Sequence, residues 1–432
     1  MVAVVLLWVV RQGPLRLTGL VPGLESVGLL TGLLSADLLL LQVFLLARIP
    51  WVERAWGHDV LARRHGWLGF VSFALMVAHV IAFGFERLLR DDSTSWAPLW
   101  PLFVTASWML WASVGTLLVV GVTLTSLRAV RRRLRYESWH LLHLYGYLGV
   151  GLALPHQILD SSDFSSDLAR RYWWSVWGLA AAAVLVFRIG LPLWRSATCR
   201  LRVTSVTPEG AGVVSVVLGG RALHRLGTRS GQFFVWRFLD GPGWTRGHPY
   251  TISAAPTDDQ LRITLQAAGD GGTRAARLRP GTRVLVEGPY GTMTAERRRH
   301  PGMLAMAAGV GITPLRALLE DTPYAPGETV LVYRYSSPEH EIFVTEIAAL
   351  AERRGVRVVH LPGTRRADGS WRPGPTDDDG VDDAQALRDL VPDLAERDIF
   401  VCGPPDWTRA VRRAARAAGA GREQIHTEDF AW

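Results

Sequence analysis

The pattern of hydrophobic positions changes character near residue 196. Before it, apolar residues run almost unbroken over 26–47, 67–85, 102–127, 138–159 and 173–194, each run bracketed by charge or proline. Runs of this length suit helices that cross the hydrocarbon core of a bilayer, which is about 30 Å thick and takes about 20 helical residues. An opening run at 2–10 is halted by Arg11. It is expected to form a short first span or an interfacial segment, since a signal peptide would carry a basic stretch ahead of its apolar run. Beyond residue 197 the period shortens to strands with Gly and Pro turns, at 200–206, 212–218, 232–238, 250–253, 261–267 and 283–287, the pattern of a small antiparallel β-barrel. From 302, strands at 303–307, 329–334, 356–360 and 398–401 alternate with helices at 313–320, 340–353 and 405–418, which predicts a doubly wound α/β sheet. The expected fold is multi-domain: a helical transmembrane domain over 1–196, an antiparallel barrel over 197–300 and an α/β nucleotide-binding domain over 301–432. The insertion 364–384, with Asp377, Asp378 and Asp379, reads as a solvated loop.

Composition sharpens this picture in two ways. Of 432 residues 47 are basic, giving a formal charge of +8, and every basic residue is Arg. Such an excess raises the possibility of a polyanion partner. The arginines sort by loop, however. Arg48, Arg54, Arg63 and Arg64 crowd one loop and Arg128, Arg131, Arg132, Arg133 and Arg135 another, while the alternate loops carry Glu86, Asp91, Asp92, Asp160, Asp163 and Asp167. That asymmetry predicts a multi-pass cell-membrane protein with the basic loops, and everything after 195, in the cytoplasm. It leaves no basic patch with interleaved aromatics for nucleic acid. The second point is that Cys199 and Cys402 are the only cysteines. Two thiolates cannot hold an iron–sulfur cluster or build a disulfide framework, so a redox metal falls to histidine.

Ionisable residues inside spans are costly and are read first as functional. His79, His143 and His156 lie in the runs and His65 at the entry to one of them. At about 100° and 1.5 Å per residue, the 14 residues from His65 to His79 bring both rings to one helix face about 21 Å apart. His143 and His156 repeat the two depths with a separation of 13 residues, about 20 Å, but with an azimuthal mismatch of about 140° that only an irregular helix, which Pro155 permits, would remove. Two helices that each offer His at two depths suit two stacked haems, His65 with His143 toward the cytoplasm and His79 with His156 toward the outside. Bis-His ligation leaves no open axial position and so serves electron transfer. The alternatives are histidines bonded to neighbouring helices and His140, one turn from His143, as a rival ligand. His58 is expected in a solvated loop.

In the second half, His248-Pro249-Tyr250-Thr251-Ile252-Ser253 follows a strand and a Gly-rich turn, giving Tyr250 to stack on a flat ring and Thr251 and Ser253 as hydroxyls. Gly272 and Thr273 precede a short helical run, where backbone N–H groups and a hydroxyl suit a pyrophosphate. Ala308-Gly309-Val310-Gly311-Ile312-Thr313-Pro314 joins a strand to a helix that would hold a diphosphate at its N-terminus. Arg334 ends the next strand, placed for an adenosine 2′-phosphate. Cys402-Gly403-Pro404-Pro405 ends a later strand at the ligand-binding edge of such sheets.

Taken in order, the His spacings, Tyr136-Glu137-x-Trp139-x-x-x-His143, His-Pro-Tyr-Thr-Ile-Ser, Gly-x-Gly-Ile-Thr-Pro and Cys-Gly-Pro-Pro resemble the ferric reductase and NADPH oxidase superfamily over about 26–432. The resemblance implies FAD at His248, Pro249, Tyr250, Thr251 and Ser253 with Gly272 and Thr273 on its pyrophosphate. It implies NADPH, with NADH as an alternative, at Gly309, Gly311, Thr313, Arg334, Cys402 and Gly403, and two haems, b-type, on the four histidines. It also implies a terminal aromatic over the flavin, here Phe430 or Trp432. Gln266 stands where many relatives carry a basic residue, which would weaken flavin phosphate contacts. The expected activity is NAD(P)H-dependent electron transfer across the membrane, with Tyr250, Thr251, Ser253, Cys402 and Trp432 at the reacting centre. The acceptor would be dioxygen or a ferric chelate. A subunit that donates to a protein partner, and a membrane-anchored flavin reductase without haem, are the alternatives.

Overall fold

A computed structural model describes residues 1–10, 17–91, 97, 99–101, 107–134, 136–159, 166–210, 212–374 and 380–428. Two compact units emerge, residues 1–56 with 60–190 and residues 57–59 with 191–432.

The first unit is helical. Leu20–Leu45, Val60–Arg90, Trp108–Ser126 and Asp167–Cys199 are, among the described residues, the four helices long and apolar enough to cross a membrane. The run at 138–159 folds as the helix Tyr136–Leu159, equally long, but His140, His143, Pro155, His156 and Gln157 dilute its apolar content. Trp67, Phe70, Leu117, Leu148, Leu179 and Leu185 are exposed, an outward apolar surface of the kind that suits a lipid surrounding. Val2–Val10 forms a helix of nine residues, about 14 Å long and too short to span. It packs on Leu20–Leu45 through Val4 and Trp8, whose indole N–H donates to the Ser26 carbonyl at 3.2 Å. Hydrogen bonds link helices inside the unit: the Gln42 amide donates to Ser72 Oγ at 2.8 Å, the Ser35 hydroxyl to the Ser72 carbonyl at 2.8 Å, and the Tyr172 hydroxyl to Asp37 at 2.6 Å. The helix that starts at Asp167, capped by Ser166, widens to a π-turn over Val184–Gly190 before continuing as Leu191–Cys199. Pro192, without an N–H, interrupts the helical ladder there. Of the loop charges used for orientation, Asp92, Arg135, Asp160 and Asp163 lie outside the described residues.

In the second unit, β1 (Arg202–Gly210), β2 (Val213–Gly219) and β5 (Gln260–Gln266) form one antiparallel sheet. A second comprises β3 (Phe233–Phe238), β4 (His248–Thr251) and β6 (Val284–Tyr290), in the order β4-β3-β6. Bridges from Ile252 to Ile263 and from Arg202 to Arg283 join the two around a core of Trp236, Phe234, Ile252, Ile263 and Leu218. There follows a parallel sheet of β7 (Gly302–Ala308), β8 (Thr329–Tyr335), β9 (Arg357–Pro362), β12 (Arg397–Cys402) and β13 (Ile425–Thr427) in the order β13-β12-β7-β8-β9. Ile312–Asp321 and Val344–Arg354 cover one face, Asp383–Leu390 and Pro405–Ala417 the other. The architecture is therefore a helical membrane unit, an antiparallel sheet pair and a doubly wound parallel sheet.

The insertion 364–384 departs from the expected solvated loop. Its short hairpin, β10 (Thr364–Arg365) with β11 (Pro373–Gly374), is followed by Asp383–Leu390. Trp371 is buried, donates to the Asp383 carbonyl at 3.1 Å and accepts from Trp407 at 2.9 Å. An aromatic in a polar insertion finds a core when the chain folds back over a helix. Asp377, Asp378 and Asp379 lie outside the described residues.

Candidate functional site

The four membrane histidines meet in the expected pairs. The rings of His65 and His143 have centroids 5.8 Å apart and those of His79 and His156 6.3 Å apart. They belong to the helices His58–Arg90 and Tyr136–Leu159, the second of which packs closely on Ser107–Ser126. His140 takes neither place; its ring lies by Trp139.

The bonds behind two of these rings fix their tautomers. His79 Nδ1 lies 2.8 Å from the Gly28 carbonyl, which only accepts, so Nδ1 carries the proton and Nε2 the lone pair. The close approach depends on Gly32, where a Cβ would stand 2.4 Å from that nitrogen. Ser126 donates its hydroxyl proton to the Val122 carbonyl at 2.7 Å and so must accept from Trp139 at 3.3 Å and from His143 Nδ1 at 3.2 Å. His143 therefore also presents Nε2 as a lone pair. Buttressing one ring nitrogen while the other is left to ligate is the usual arrangement of a metal-binding imidazole. A metal about 2.0 Å from each of two facing nitrogens places the ring centroids about 6 Å apart, which these spacings match. Among the described residues no group of three or more His, Cys, Asp or Glu side chains converges.

On the barrel, His248 and Tyr250 stack with ring centroids 6.0 Å apart and planes at 16°. Burial pushes the Tyr250 hydroxyl up to about 12, so it stays protonated. The glycine-rich segment is itself the first turn of a helix, Gly269–Ala275, rather than the lead into one at 274. It runs against the aromatic pair: a Cβ on Gly271 would meet the His248 ring at 2.7 Å and the Tyr250 hydroxyl at 3.2 Å. That cradle, with the exposed Thr273 beside it, fits a flat ring and a phosphate. Thr251 is buried and bonded to Thr313 at 3.1 Å. Because Thr313 gives its proton to the Val310 carbonyl at 2.9 Å, Thr251 is the donor of the pair. Ser253 is fully buried, with its hydroxyl 2.7 Å from Thr264 and accepting from Arg262 at 3.1 Å. Its role inside the barrel differs from that of an open ligand hydroxyl.

At the carboxyl edge of the parallel sheet, Gly309 adopts φ +56°. A Cβ on Gly311 would meet the Cys402 carbonyl at 2.3 Å, so the turn after β7 and the end of β12 form one close-packed floor. Thr313, buried and bonded at both ends, serves that floor. The Cys402 thiol is buried and pushed up by burial and by Glu428, which keeps it neutral. Arg334 is the last residue but one of β8; burial first and Arg365 second hold its guanidinium below the ordinary value. Its buried Nε has no hydrogen-bond partner among the described residues, an arrangement that suits an incoming anion.

Three features lay beyond the sequence reading. Glu428 is buried and accepts from the Thr292 N–H at 3.2 Å. His58, expected in solvent, is buried with its ring 6.3 Å from that of Tyr290. Asp398, fully buried, accepts from the backbone N–H of Arg299 and His300 at 2.7 Å each and from His426 at 3.0 Å. Long-range pairings of this kind leave no local pattern. Phe430 and Trp432 lie outside the described residues.

Comparison with known proteins finds a ferric reductase like transmembrane component over residues 31–154 and an oxidoreductase NAD-binding domain over residues 305–413. The chain is 31% identical over 251 residues to the stachydrine N-demethylase reductase subunit of Rhizobium meliloti, covering 56% of this chain and 68% of that protein. It is 30% identical over 230 residues to the ferredoxin reductase component of 3-ketosteroid-9-alpha-monooxygenase from Mycolicibacterium smegmatis, covering 52% of this chain. Of that relative's own length it spans 59%. Among solved structures, the ferredoxin reductase in carbazole 1,9a-dioxygenase matches with TM-score 0.44 and 20% identity over 54% of this chain and 69% of that one. The chain thus joins a ferric-reductase-like transmembrane component to an oxidoreductase NAD-binding domain, a pairing consistent with the ferric reductase and NADPH oxidase-like superfamily.

Proposed function

We propose that this protein is a transmembrane flavohaem oxidoreductase that carries electrons from NADPH, through FAD and two bis-His haems, to dioxygen or a ferric chelate across the membrane. The dehydrogenase unit would lie in the cytoplasm and the helices would cross as a multi-pass bundle. The observation that carries the reading is the meeting of His65 with His143 and of His79 with His156 at 5.8 and 6.3 Å. Two imidazoles per site, with no third protein ligand among the described residues, suit a metal that brings its remaining ligands with it, as haem iron does. Flavin supplies the conversion between two-electron nicotinamide and one-electron haem chemistry.

The residues divide the remaining work. Gly28 and Ser126 orient His79 and His143 by holding Nδ1. Tyr250 and His248 offer a flat stacking face, with Gly272 and Thr273 at the phosphate end. Gly309, Gly311 and Gly403 let backbone approach a diphosphate, and Cys402, kept neutral, offers apolar bulk beside Glu428. Arg334, with Arg365 near it, supports NADPH over NADH, because paired guanidiniums suit a 2′-phosphate.

A second reading, donation to a protein partner, is favoured by the relatives, one described as the ferredoxin reductase component of a monooxygenase and the other as the reductase subunit of an N-demethylase. One assay separates the two. NADPH oxidation by the purified chain is followed with dioxygen or ferric chelate supplied, with superoxide dismutase present to block indirect iron reduction. Sustained turnover on either supports the first reading; turnover on neither supports the second.

A further inference from the structure

Where the barrel meets the parallel sheet, four charged side chains converge on the strand end that follows Tyr250. Arg262 of β5 grips Glu346 bidentately, at 2.7 and 2.8 Å. Arg316, on the helix that follows the Gly309–Gly311 turn, reaches the same carboxylate at 2.6 Å and also pairs with Glu320. Both guanidiniums donate to one acceptor, the Ser253 carbonyl, Arg262 at 2.9 Å and Arg316 at 3.3 Å. Glu320 accepts from the Ala255 N–H at 2.6 Å. Two positive and two negative charges balance. Arg316 is buried, and desolvated, bidentate pairs of this kind are held far more firmly than surface ones. Ser253 and Ala255 belong to the segment that carries Tyr250 and Thr251, whereas Arg316, Glu320 and Glu346 belong to the nucleotide-binding sheet. The Thr251–Thr313 bond crosses the same boundary.

We propose that this ionic cluster is a latch that fixes the angle between the barrel and the parallel sheet, with Glu346 its pivot and a positioning residue for electron transfer between the two nucleotides. The proposal rests on the flavin and nicotinamide reading above only for its consequence; the latch itself is a property of the chain. Glu346 is the pivot because, of the two carboxylates, it is the one that pairs with both arginines. Without its charge Arg262 and Arg316 repel each other beneath Ser253, and the segment from Thr251 to Ala255 is released from the helix Ile312–Asp321. Hydride transfer is sensitive to such a shift, since misplacement by about 1 Å costs about 100-fold.

The test uses the full chain in detergent, comparing wild type with Glu346→Gln, which keeps the size, and with Arg262→Gln and the double variant. Amide exchange is followed by mass spectrometry over 251–256 and 312–321, alongside flavin reduction by NADPH in a single turnover. The latch predicts exchange about tenfold faster in both segments for Glu346→Gln. It also predicts flavin reduction about 10- to 100-fold slower with NADPH affinity within about twofold. The double variant should be no worse than the singles, as for residues in one network. Unchanged exchange would overturn the latch, and so would a loss confined to NADPH affinity, which would make Glu346 a nucleotide contact. Wild type that NADPH fails to reduce would overturn the cofactor reading instead, and the exchange measurement would still decide the latch.

Discussion

In the dehydrogenase unit Asp398 is fully buried, and two backbone N–H groups and His426 converge on its carboxylate. In the membrane unit His79 is held by a single carbonyl at Nδ1, while its ring faces another imidazole 6.3 Å away. Arg262, Arg316 and Glu346 follow the first pattern, and His143 the second. The contrast teaches where to look for cofactors. A buried polar group whose partners are all protein is part of the fold; one that is oriented from behind and presented to an identical group in front is a seat for something else. In a bilayer, where polar groups are costly, the second pattern carries more weight.

The largest expected effect lies in the membrane unit. His79→Ala or His156→Ala should remove one haem and His65→Ala or His143→Ala the other, each lowering the Soret absorbance per chain by about half and stopping transmembrane electron flow. A full Soret band in all four variants would remove the basis of the comparison. Next comes the flavin cradle. Gly271→Val drives a side chain into His248 and Tyr250, and FAD affinity, read by fluorescence, should fall by at least about tenfold. For Arg334→Ala, the KM for NADPH should rise about 10- to 100-fold with NADH changed by less than about twofold, since a charged hydrogen bond to phosphate is lost.

The smallest effect belongs to the fully satisfied carboxylate. Burial, more than the Asp398 bond offsets, holds His426 below its ordinary 6.5. Burial would raise Asp398, but His426 and the two N–H groups outweigh it and hold it below its ordinary 3.8. For both groups the unfolded chain binds protons more readily than the folded one, so stability rises with pH between the folded and unfolded values. The thermal unfolding temperature of the dehydrogenase unit should therefore fall as pH drops below about 6.5 and fall again below about 4. Asp398→Ala should lower its stability by about 3 kcal/mol and leave haem content unchanged. Haem loss in that variant would blur the distinction between the two kinds of buried group.

Much of this was legible in the sequence because it rests on period. The apolar runs gave the helices, 212–218 and 329–334 read as strands, and the 14-residue step from His65 to His79 placed two rings on one face. The 13-residue step from His143 to His156 did not predict its own outcome. Both rings find partners, in a helix that contains Pro155. What stayed hidden depends on residues far apart in the chain. Nothing near Ser253 announces that Arg316 and Glu346 will close on it, and nothing near His58 points to Tyr290. The insertion 364–384 reads as a solvated loop because its residues are mostly polar, although Trp371 within it is buried against Trp407. The glycines of Gly269–Thr273 read as the lead into a helix at 274 because glycine disfavours helix; there, close approach to His248 and Tyr250 prevails over propensity.

The central claim is that electrons from nicotinamide reach paired membrane histidines through this one chain. The direct measurement is the anaerobic visible spectrum of the purified full-length protein, loaded with FAD and haem, before and after addition of NADPH. The account predicts a Soret band of six-coordinate, bis-His haem at two haems per chain, shifting to the reduced form on NADPH addition only when FAD is present. Haem absent from the loaded protein, or haem present that NADPH and FAD together leave oxidised, would contradict it.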